Sequence, residues 1–406
     1  MSLQSPSISI SIVHSRWRAT MSADNATLLI LANSGRALAE SARRGGYRVT
    51  VLDGYCDQDT LAAADCWPVT QGFGNLEVEM FVEEMAALFP AKPEGVIYGA
   101  GLEESTPLLR RLSADFKLFG NDPSVLELLR RPRRYFSLLD RLEIPYPQVS
   151  FIPPYSAGAK RWLIKRAGSC GGQGVAYFDA AHSAADAACY YQRHMPGQAM
   201  SILFIADGGR HRTIGYNRLG MGASSRPAPF LYSGATGQAS LSPAHRAKIE
   251  LIVSRLVSEL KLRGINSLDF VVADDGPFVI DLNPRPAATL ELYEHMTGEG
   301  WIKHHIAACL GELPSLPLVG SAVIHGQQIV YSPRSFEMPR EPAWQPWVKD
   351  RPLAGSRVVE GQPLCSLYAE GSSVEEVEIV LRQRQDEILR MLGVSLCQPH
   401  ARKVAV

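Results

Sequence analysis

Three oxygen-bearing side chains in this 406-residue chain have the types and spacing to hold a metal ion: Asp269, Asp281 and Asn283. They lie in the run SLDFVVADDGPFVIDLNPRP, residues 267–286. Two apolar stretches flank an Asp-Gly turn signal there, which predicts an antiparallel hairpin. Side chains alternate faces along a strand, so Asp281 and Asn283 share one face. With residues 274–276 as the loop, Asp269 falls directly opposite Asp281. A loop one residue shorter or longer turns Asp269 to the other face. Two carboxylates facing each other among Leu, Phe, Val and Ile repel unless something positive sits between them. Two Asp oxygens and an Asn carbonyl suit Mg²⁺, which prefers hard oxygen ligands and usually keeps waters and phosphate oxygens as well. Arg285, just past the strand, offers a planar fork for phosphate or carboxylate. A solvated surface hairpin is the simpler account of one lone strand Asp, but a poor account of the whole D-x(11)-D-x-N-P-R-P set.

A second stretch, WLIKRAGSCGGQGVA at residues 162–176, has the makings of a phosphate cradle. An apolar strand delivers Lys165 as a point charge. Gly168, Gly171, Gly172 and Gly174 follow, with Ser169 among them; glycines let the backbone approach phosphate oxygens and turn successive N–H groups toward them. Only nine of the 41 basic residues are lysines, which adds weight to a lysine here. No G-K-[ST] follows the glycines, so this is not a Walker A loop. Cys170 has no neighbouring base in sequence and reads as a small residue rather than a nucleophile. His304 and His305 lack metal-ligand spacing and read as helix surface or core.

These residues need a scaffold, and the rest of the chain supplies one. Hydrophobic content of 46% and charged content of 20% describe an ordinary globular protein long enough for two or three domains. A formal net charge of zero, with no basic stripe, argues against nucleic acid or an anionic membrane as partner. No apolar run is long enough to cross a bilayer. Seven cysteines without a C-x-x-C pair point to reduced thiols in a cytoplasmic protein. Residues 1–26 are expected to be a disordered extension, lacking the apolar core of a secretory signal.

A buried-strand run at 27–32, a turn, helix and glycine stop over 33–46 and a strand at 47–53 make a βαβ unit. A dinucleotide fingerprint needs G-x-G-x-x-G at the first turn, where only Gly35 is present; Asp53 at the strand end is the one Rossmann-like feature. Another strand with a glycine-rich end covers 95–101, a helix follows around 106–114, and a helical stretch breaks at Pro132. An amphipathic helix over 134–142 ends in the linker Ile144-Pro-Tyr-Pro147. A further helix is expected over 297–313, then short strands at 322–324, 328–331, 357–359 and 364–368, and a terminal helix over 374–391. The expected domains are 27–120, 121–318 and 319–406.

In this order and at this separation the two motifs resemble the ATP-grasp superfamily of carboxylate–amine ligases, from about residue 27 into the tail. The resemblance implies an α/β fold: an ATP-grasp domain, preceded by a Rossmann-like pre-ATP-grasp domain and followed by a small C-terminal β-rich subdomain. Lys165 falls on the family's strand lysine that contacts the α- and β-phosphates, and residues 168–174 fall on its mobile glycine loop. Residues 196–202 match the hinge that contacts adenine and ribose, with Gln198 in place of the ribose-binding acid. Asp281 and Asn283 match the principal Mg²⁺ ligands (Mn²⁺ being the alternative ion), with Asp269 as a third, and Arg285 matches the active-site arginine. Three departures stand out: an upstream lysine is replaced by one of the arginines of 130–134, the ribose acid is Gln198, and the commonest metal acid is Glu rather than Asp281. Short motifs at 99–104 (GAGLEE), 120–123 (GNDP) and Gly197-x-x-x-Ser201 are similar to the tyramine–glutamate ligase-like members that serve C1 cofactors of the methanofuran, methylofuran and methanopterin type.

The resemblance implies an ADP-forming C–N ligase that uses ATP and Mg²⁺ to join a small-molecule carboxylate to an amine through an acyl phosphate. Addition of glutamate to an amine in C1-carrier biosynthesis is its specific form. It implies no nucleic-acid or membrane partner and is compatible with a homo-oligomer. Substrate-specific residues are expected within 210–237 and around Arg285. Two rivals stand beside it: a non-catalytic ATP-binding regulator that keeps the fold, and an NAD-dependent dehydrogenase built on the first βαβ unit.

Overall fold

An apolar run buried on both faces belongs in the middle of a sheet that is covered on both sides. In the computed structural model, which describes residues 27–88, 92–154, 161–179, 188–221, 228–315 and 323–394, β1 (Thr27–Ala32) is such a strand, fully buried from Leu28 to Ala32. On one side it pairs in parallel with β2 (Arg48–Asp53), which β3 (Asp65–Pro68) extends. On the other side lie β4 (Gly95–Tyr98) and β5 (Leu118–Phe119), giving the order β3-β2-β1-β4-β5. Helices α1 (Arg36–Arg44) and α2 (Gln58–Ala63) cover the face that carries Leu28, Ile30 and Val49. Helices α3 (Val78–Leu88) and α4 (Thr106–Asp115) cover the face of Leu29, Leu31 and Leu52. Strand order reverses between β1 and β4, and at such a point the turns beyond the strand ends diverge and leave a crevice.

Two helices, α5 (Pro123–Leu129) and α6 (Pro132–Arg141), lead out of this unit. Pro132 does more than break a helix: it opens α6 at the first helical position, where a missing N–H costs nothing. A small antiparallel sheet follows, built from β6 (Val149–Ser150), β7 (Trp162–Arg166), β8 (Val175–Tyr177) and β9 (Cys189–Arg193) in the order β6-β9-β7-β8.

The large sheet has eight strands. Its first five are β10 (Gln198–Asp207), β11 (His211–Met221), β12 (Tyr232–Thr236), β13 (Arg263–Ala273) and β14 (Gly276–Asn283). Helix α7 (Pro243–Leu260), not expected from the sequence, lays Ile249, Val253, Leu256 and Val257 on one face of it. A 3₁₀ segment (Ala288–Met296) and α8 (Trp301–Cys309) come next, the helix shorter than the expected 297–313. The tail contributes β15 (Ile324–Tyr331), β16 (Phe336–Glu337), β17 (Val348–Lys349), β18 (Arg357–Val358), β19 (Pro363–Gly371) and α9 (Val374–Met391). Three of its strands extend the large sheet, in the order β14-β13-β10-β11-β12-β15-β19-β17, while β16 and β18 form a ribbon. β15 is one strand where two short ones were expected.

Two expectations change at the first sheet. The Asp53 carboxylate accepts from three backbone N–H groups, of Gly35 (2.6 Å), Tyr55 (2.6 Å) and Cys56 (2.9 Å). It is 1% exposed and ties two turns together, so it offers no free acceptor to a nucleotide ribose. Cys56 and Cys66, expected as reduced thiols, are joined as a disulfide with 5.9 Å between Cα atoms. The ten-residue separation hides this pairing; the parallel register of β2 and β3, with Val51 beside Cys66, creates it. His305 is a core residue, fully buried, its Nδ1 accepting from the Ile265 N–H at 2.9 Å and its Nε2 3.1 Å from the Phe119 carbonyl.

Candidate active site

The apolar contact with α7 decides which way the hairpin points its acids. Leu268, Phe270, Val279 and Leu282 pack under that helix, so Asp269, Asp281 and Asn283 are turned to the opposite face. Asp269 pairs with Asp281, as the sequence suggested, but by a different route. Ala273 pairs with Gly276, leaving a two-residue turn, one residue shorter than the loop that the register argument needed. A bulge between the Asp269–Asp281 and Phe270–Val279 pairs, with Ile280 as the extra residue, restores the facing carboxylates.

A hydrogen-bonded chain runs through them. Asn283 Nδ2 donates to Asp269 Oδ2 at 3.2 Å, and Arg285 donates to Asn283 Oδ1 at 3.1 Å. The Arg285 guanidinium, 7% exposed, also grips Glu103 at 2.5–2.6 Å from both Nε and Nη2. Glu103 comes from the loop after β4, in the GAGLEE motif. Read from sequence, that motif carries a family likeness but no role. Burial pushes the Asp269 carboxyl up to about 7, and the facing Asp281 adds to the rise. Asp281 is also raised by burial, against the pull of Lys165 and of the Leu282 N–H that its Oδ1 accepts at 2.9 Å. A divalent cation would relieve this pair.

Lys165 reaches the same place from the small sheet. It pairs with Tyr190, and Leu163 with Gln192, so Lys165, Tyr190 and Gln192 share a face. Lys165 Nζ donates to Gln192 Oε1 at 2.7 Å; burial lowers its pKa, and Asp281 and Asp269 pull it back up. The cleft therefore sets the Lys165 ammonium of one sheet against the two facing acids of the other. Two buried polar atoms beside them have no hydrogen-bond partner among the described residues, the Gln192 Nε2 amide and the Tyr135 hydroxyl. An ammonium with a spare amide donor suits phosphate oxygens, and two carboxylates with an amide carbonyl suit the metal that accompanies them. The side chains present fit a Mg-nucleotide. Among the described residues no group of three His, Cys, Asp or Glu forms a metal set, so the candidate set needs the Asn283 amide.

The glycine loop closes over this cleft. Gly168, Gly171, Gly172 and Gly174 all have positive φ, between 61° and 83°. Gly171 accepts from the Tyr232 N–H at 2.9 Å, and a Cβ on Gly172 would lie 1.8 Å from the Phe230 carbonyl oxygen. Ser169 turns its hydroxyl back to the Arg166 carbonyl at 2.9 Å, which takes it away from phosphate duty in this arrangement. Cys170 faces Glu103, Arg285 and Asp281; burial and those carboxylates push its thiol up to about 11, so it is not a nucleophile at neutral pH. A Cβ on Gly168 would lie 3.1 Å from Arg130 Nε, which puts Arg130 at the loop, whereas Arg133 stacks 4.1 Å over Phe151. Gln198 stands apart. It pairs with Val272 while Ser201 pairs with Asp269, so its side chain is on the far face of the sheet, and its amide donates to Ala199 at 3.1 Å. Of the expected substrate loop 210–237, residues 222–227 lie outside the described residues.

Replacing Gly172 by Ala forces the loop off Phe230 and strains its backbone. We expect ATP turnover to fall by at least about tenfold, the equivalent of ~1.4 kcal/mol. The melting temperature should be nearly unchanged, because the loop contributes no residue to the apolar clusters of the core. Unchanged turnover would show that loop closure plays no part.

A nucleotide cleft between a small antiparallel sheet and a large one, closed by a glycine loop, defines the ATP-grasp fold. The sequence pattern of the ATP-grasp domain matches residues 133–289. Solved structures similar across most of the chain include the biotin carboxylase domain of Hydrogenobacter thermophilus 2-oxoglutarate carboxylase, determined with MgADP and bicarbonate (TM-score 0.68, 14% identity, 91% of this chain and 90% of that one). The L-amino acid ligase of Bacillus licheniformis is similar too (TM-score 0.67, 16% identity, 90% and 98%). So is N5-carboxyaminoimidazole ribonucleotide synthetase of Thermotoga maritima (TM-score 0.62, 15% identity, 89% and 98%). A shorter likeness, 34% identical over 67 residues, links the chain to the carbamoyl phosphate synthase large chain of Thermoplasma volcanium; it spans 16% of this chain and 6% of that protein. Among the described residues no helix is long and apolar enough to cross a membrane.

Proposed function

We propose that this protein is an ATP-dependent carboxylate–amine ligase that forms an amide through an acyl phosphate. The observation that carries the reading is the facing pair Asp269–Asp281, with Asn283 beside it and Lys165 across the cleft. Lys165 and the Gln192 amide hold phosphate oxygens, with Arg130 added at the loop. Asp281, Asn283 and Asp269 would hold Mg²⁺, which would supply charge neutralisation for the transferring phosphoryl group. The substrate carboxylate oxygen attacks the γ-phosphorus, ADP leaves, and the amine then displaces phosphate from the acyl carbon. Arg285, positioned by Glu103, steadies the acyl phosphate. The loop of Gly168, Gly171, Gly172 and Gly174 excludes water that would hydrolyse it. Gln198, on the far face, has no contact role in this arrangement. The finer reading is glutamate transfer to an amine in C1-carrier biosynthesis; it rests on the short motifs alone.

One observation favours a non-catalytic ATP-binding protein instead: Arg285 is already paired with Glu103. ADP release by the purified protein, with Mg-ATP and a matrix of carboxylates and amines, separates the two. Release that needs one matched acid and amine is the expected result. Tight Mg-ATP binding with no release from any pair would favour the regulator.

A further inference from the structure

We propose that the crevice at the carboxyl end of the parallel sheet binds the amine substrate as an organic cation, its ammonium group seated against Asp57. This rests on the ligase reading and names the chemical class of the acceptor. The crevice is a cavity of about 410 Å³ lined by the turns after β1, β2 and β4, at the point where strand order reverses. Its opposite wall comes from the 3₁₀ segment and from the tail around β19.

Seven carboxylates gather around it, and six have donors; Glu294, on the cavity wall, is held by Arg44 at 2.9 Å. Asp53 holds the three backbone N–H groups described above. Asp59 accepts from the N–H groups of Asp350 (2.8 Å) and Arg351 (3.0 Å). Arg36, 2% exposed, grips Glu291 with two bonds of 2.6 and 2.7 Å, Asp350 at 2.8 Å and Glu40 at 3.2 Å. Asp57 is left over. It is 8% exposed, lines the cavity, and has no side-chain hydrogen bond or ion pair among the described residues. It stands at the N-cap of α2 but makes no cap bond, so helix capping does not explain it. Burial, with Asp350, Asp53 and Asp59 nearby, pushes its carboxyl up to about 8.

An unpartnered acid facing an open cavity among other acids selects for positive charge and against carboxylates and phosphates. Leu38, Leu290, Ile329, Leu353 and Val358 line the same cavity, which suits a cation with an apolar body. Residues 286–288, directly after Arg285, line the crevice, so its wall continues the strand end that carries Asp281, Asn283 and Arg285.

The test uses the full-length protein and three probes of one size: benzylamine, benzyl alcohol and benzoate. Binding is read by calorimetry and ligand-observed NMR, with Mg-ATP binding measured in parallel. Benzylamine is expected to bind at least about tenfold tighter than the other two, and Asp57→Asn to remove that preference. The variant should keep its Mg-ATP affinity, and at pH 9, where the Asp57 carboxyl is ionised, its ligand-free melting temperature should rise, because an unpaired buried charge is gone; a structural role for Asp57 predicts a fall. Equal binding of the three probes, preference for benzoate, or an undiminished preference in Asp57→Asn overturns the proposal. So does absence of benzylamine binding at about 10 mM, where fragments of this size bind, if the protein binds Mg-ATP. Amine binding without Mg-ATP binding would instead leave the cation site standing and remove the ligase reading.

Discussion

Asp281→Ala is expected to abolish Mg²⁺-dependent ADP release on the proposed ligase reading, in which it removes a charged metal ligand and with it several kcal/mol of charge stabilisation, about a thousandfold in rate or more. The same variant should make the ion-free protein more stable, since it removes one of two repelling carboxylates. The sign of the pH dependence follows from Asp269. Its carboxyl is raised from 3.8 to about 7 in the folded chain, so folding takes up a proton between those values. Its contribution to stability is present below the ordinary carboxylate range and lost as pH rises through about 7. A divalent ion cancels that loss. Mg²⁺ should therefore raise the melting temperature more at pH 8 than at pH 6, and Asp281→Ala should erase the increment. An equal Mg²⁺ effect at both pH values, or one that survives in the variant, would remove the hairpin from the metal site.

Arg36→Met is expected to be the most destabilising single change in the molecule. The guanidinium is almost wholly buried and lies within 4 Å of carboxylates from Glu40, Asp59, Glu291 and Asp350. Those groups come from α1, α2, the 3₁₀ segment and the tail, so one side chain joins three distant parts of the chain. Burial acts to lower the Arg36 pKa, and Asp350 and Glu291 outweigh it and raise it. Removing one partner of such a cluster costs about 3–5 kcal/mol, because the acids stay buried without a counter-charge. Urea unfolding should show this as a lower midpoint. Adding Glu291→Gln should recover part of the loss, and that recovery is the non-additivity expected of groups in contact. A midpoint that does not move would mean that water replaces the guanidinium.

The sequence made local chemistry legible and long-range chemistry opaque. The glycine loop and the Asp269–Asp281–Asn283 set could be read because each sits within about twenty residues and obeys strand alternation. The bulge at Ile280 could not be read, since nothing in FVIDLN marks an extra residue. Two errors of one residue, in turn length and in register, cancelled to give the facing acids. Glu103 was missed as the partner of Arg285 because 182 residues separate them. The Arg36 cluster has the same property: Glu291, Asp350 and Asp59 meet only after three units fold. Gln198 was misplaced because family likeness assigned it by position, and the pairing with Val272 turns it the other way. α7 escaped notice because apolar residues such as Leu251, 54% exposed, also fall off its contact face and blur the one-sided pattern that marks a helix.

The strand that carries Asp281 and Asn283 is the outermost strand of the large sheet. An uncovered edge strand rich in Val, Ile and Leu invites pairing with another chain, the first step of aggregation. Here Pro277 removes one donor from that edge, and the Val279 N–H is taken by the Pro145 carbonyl at 2.9 Å. The proline-rich linker after α6 thus acts as a guard rail. It leaves the acids open to small molecules in the cleft while denying their backbone to a neighbouring strand.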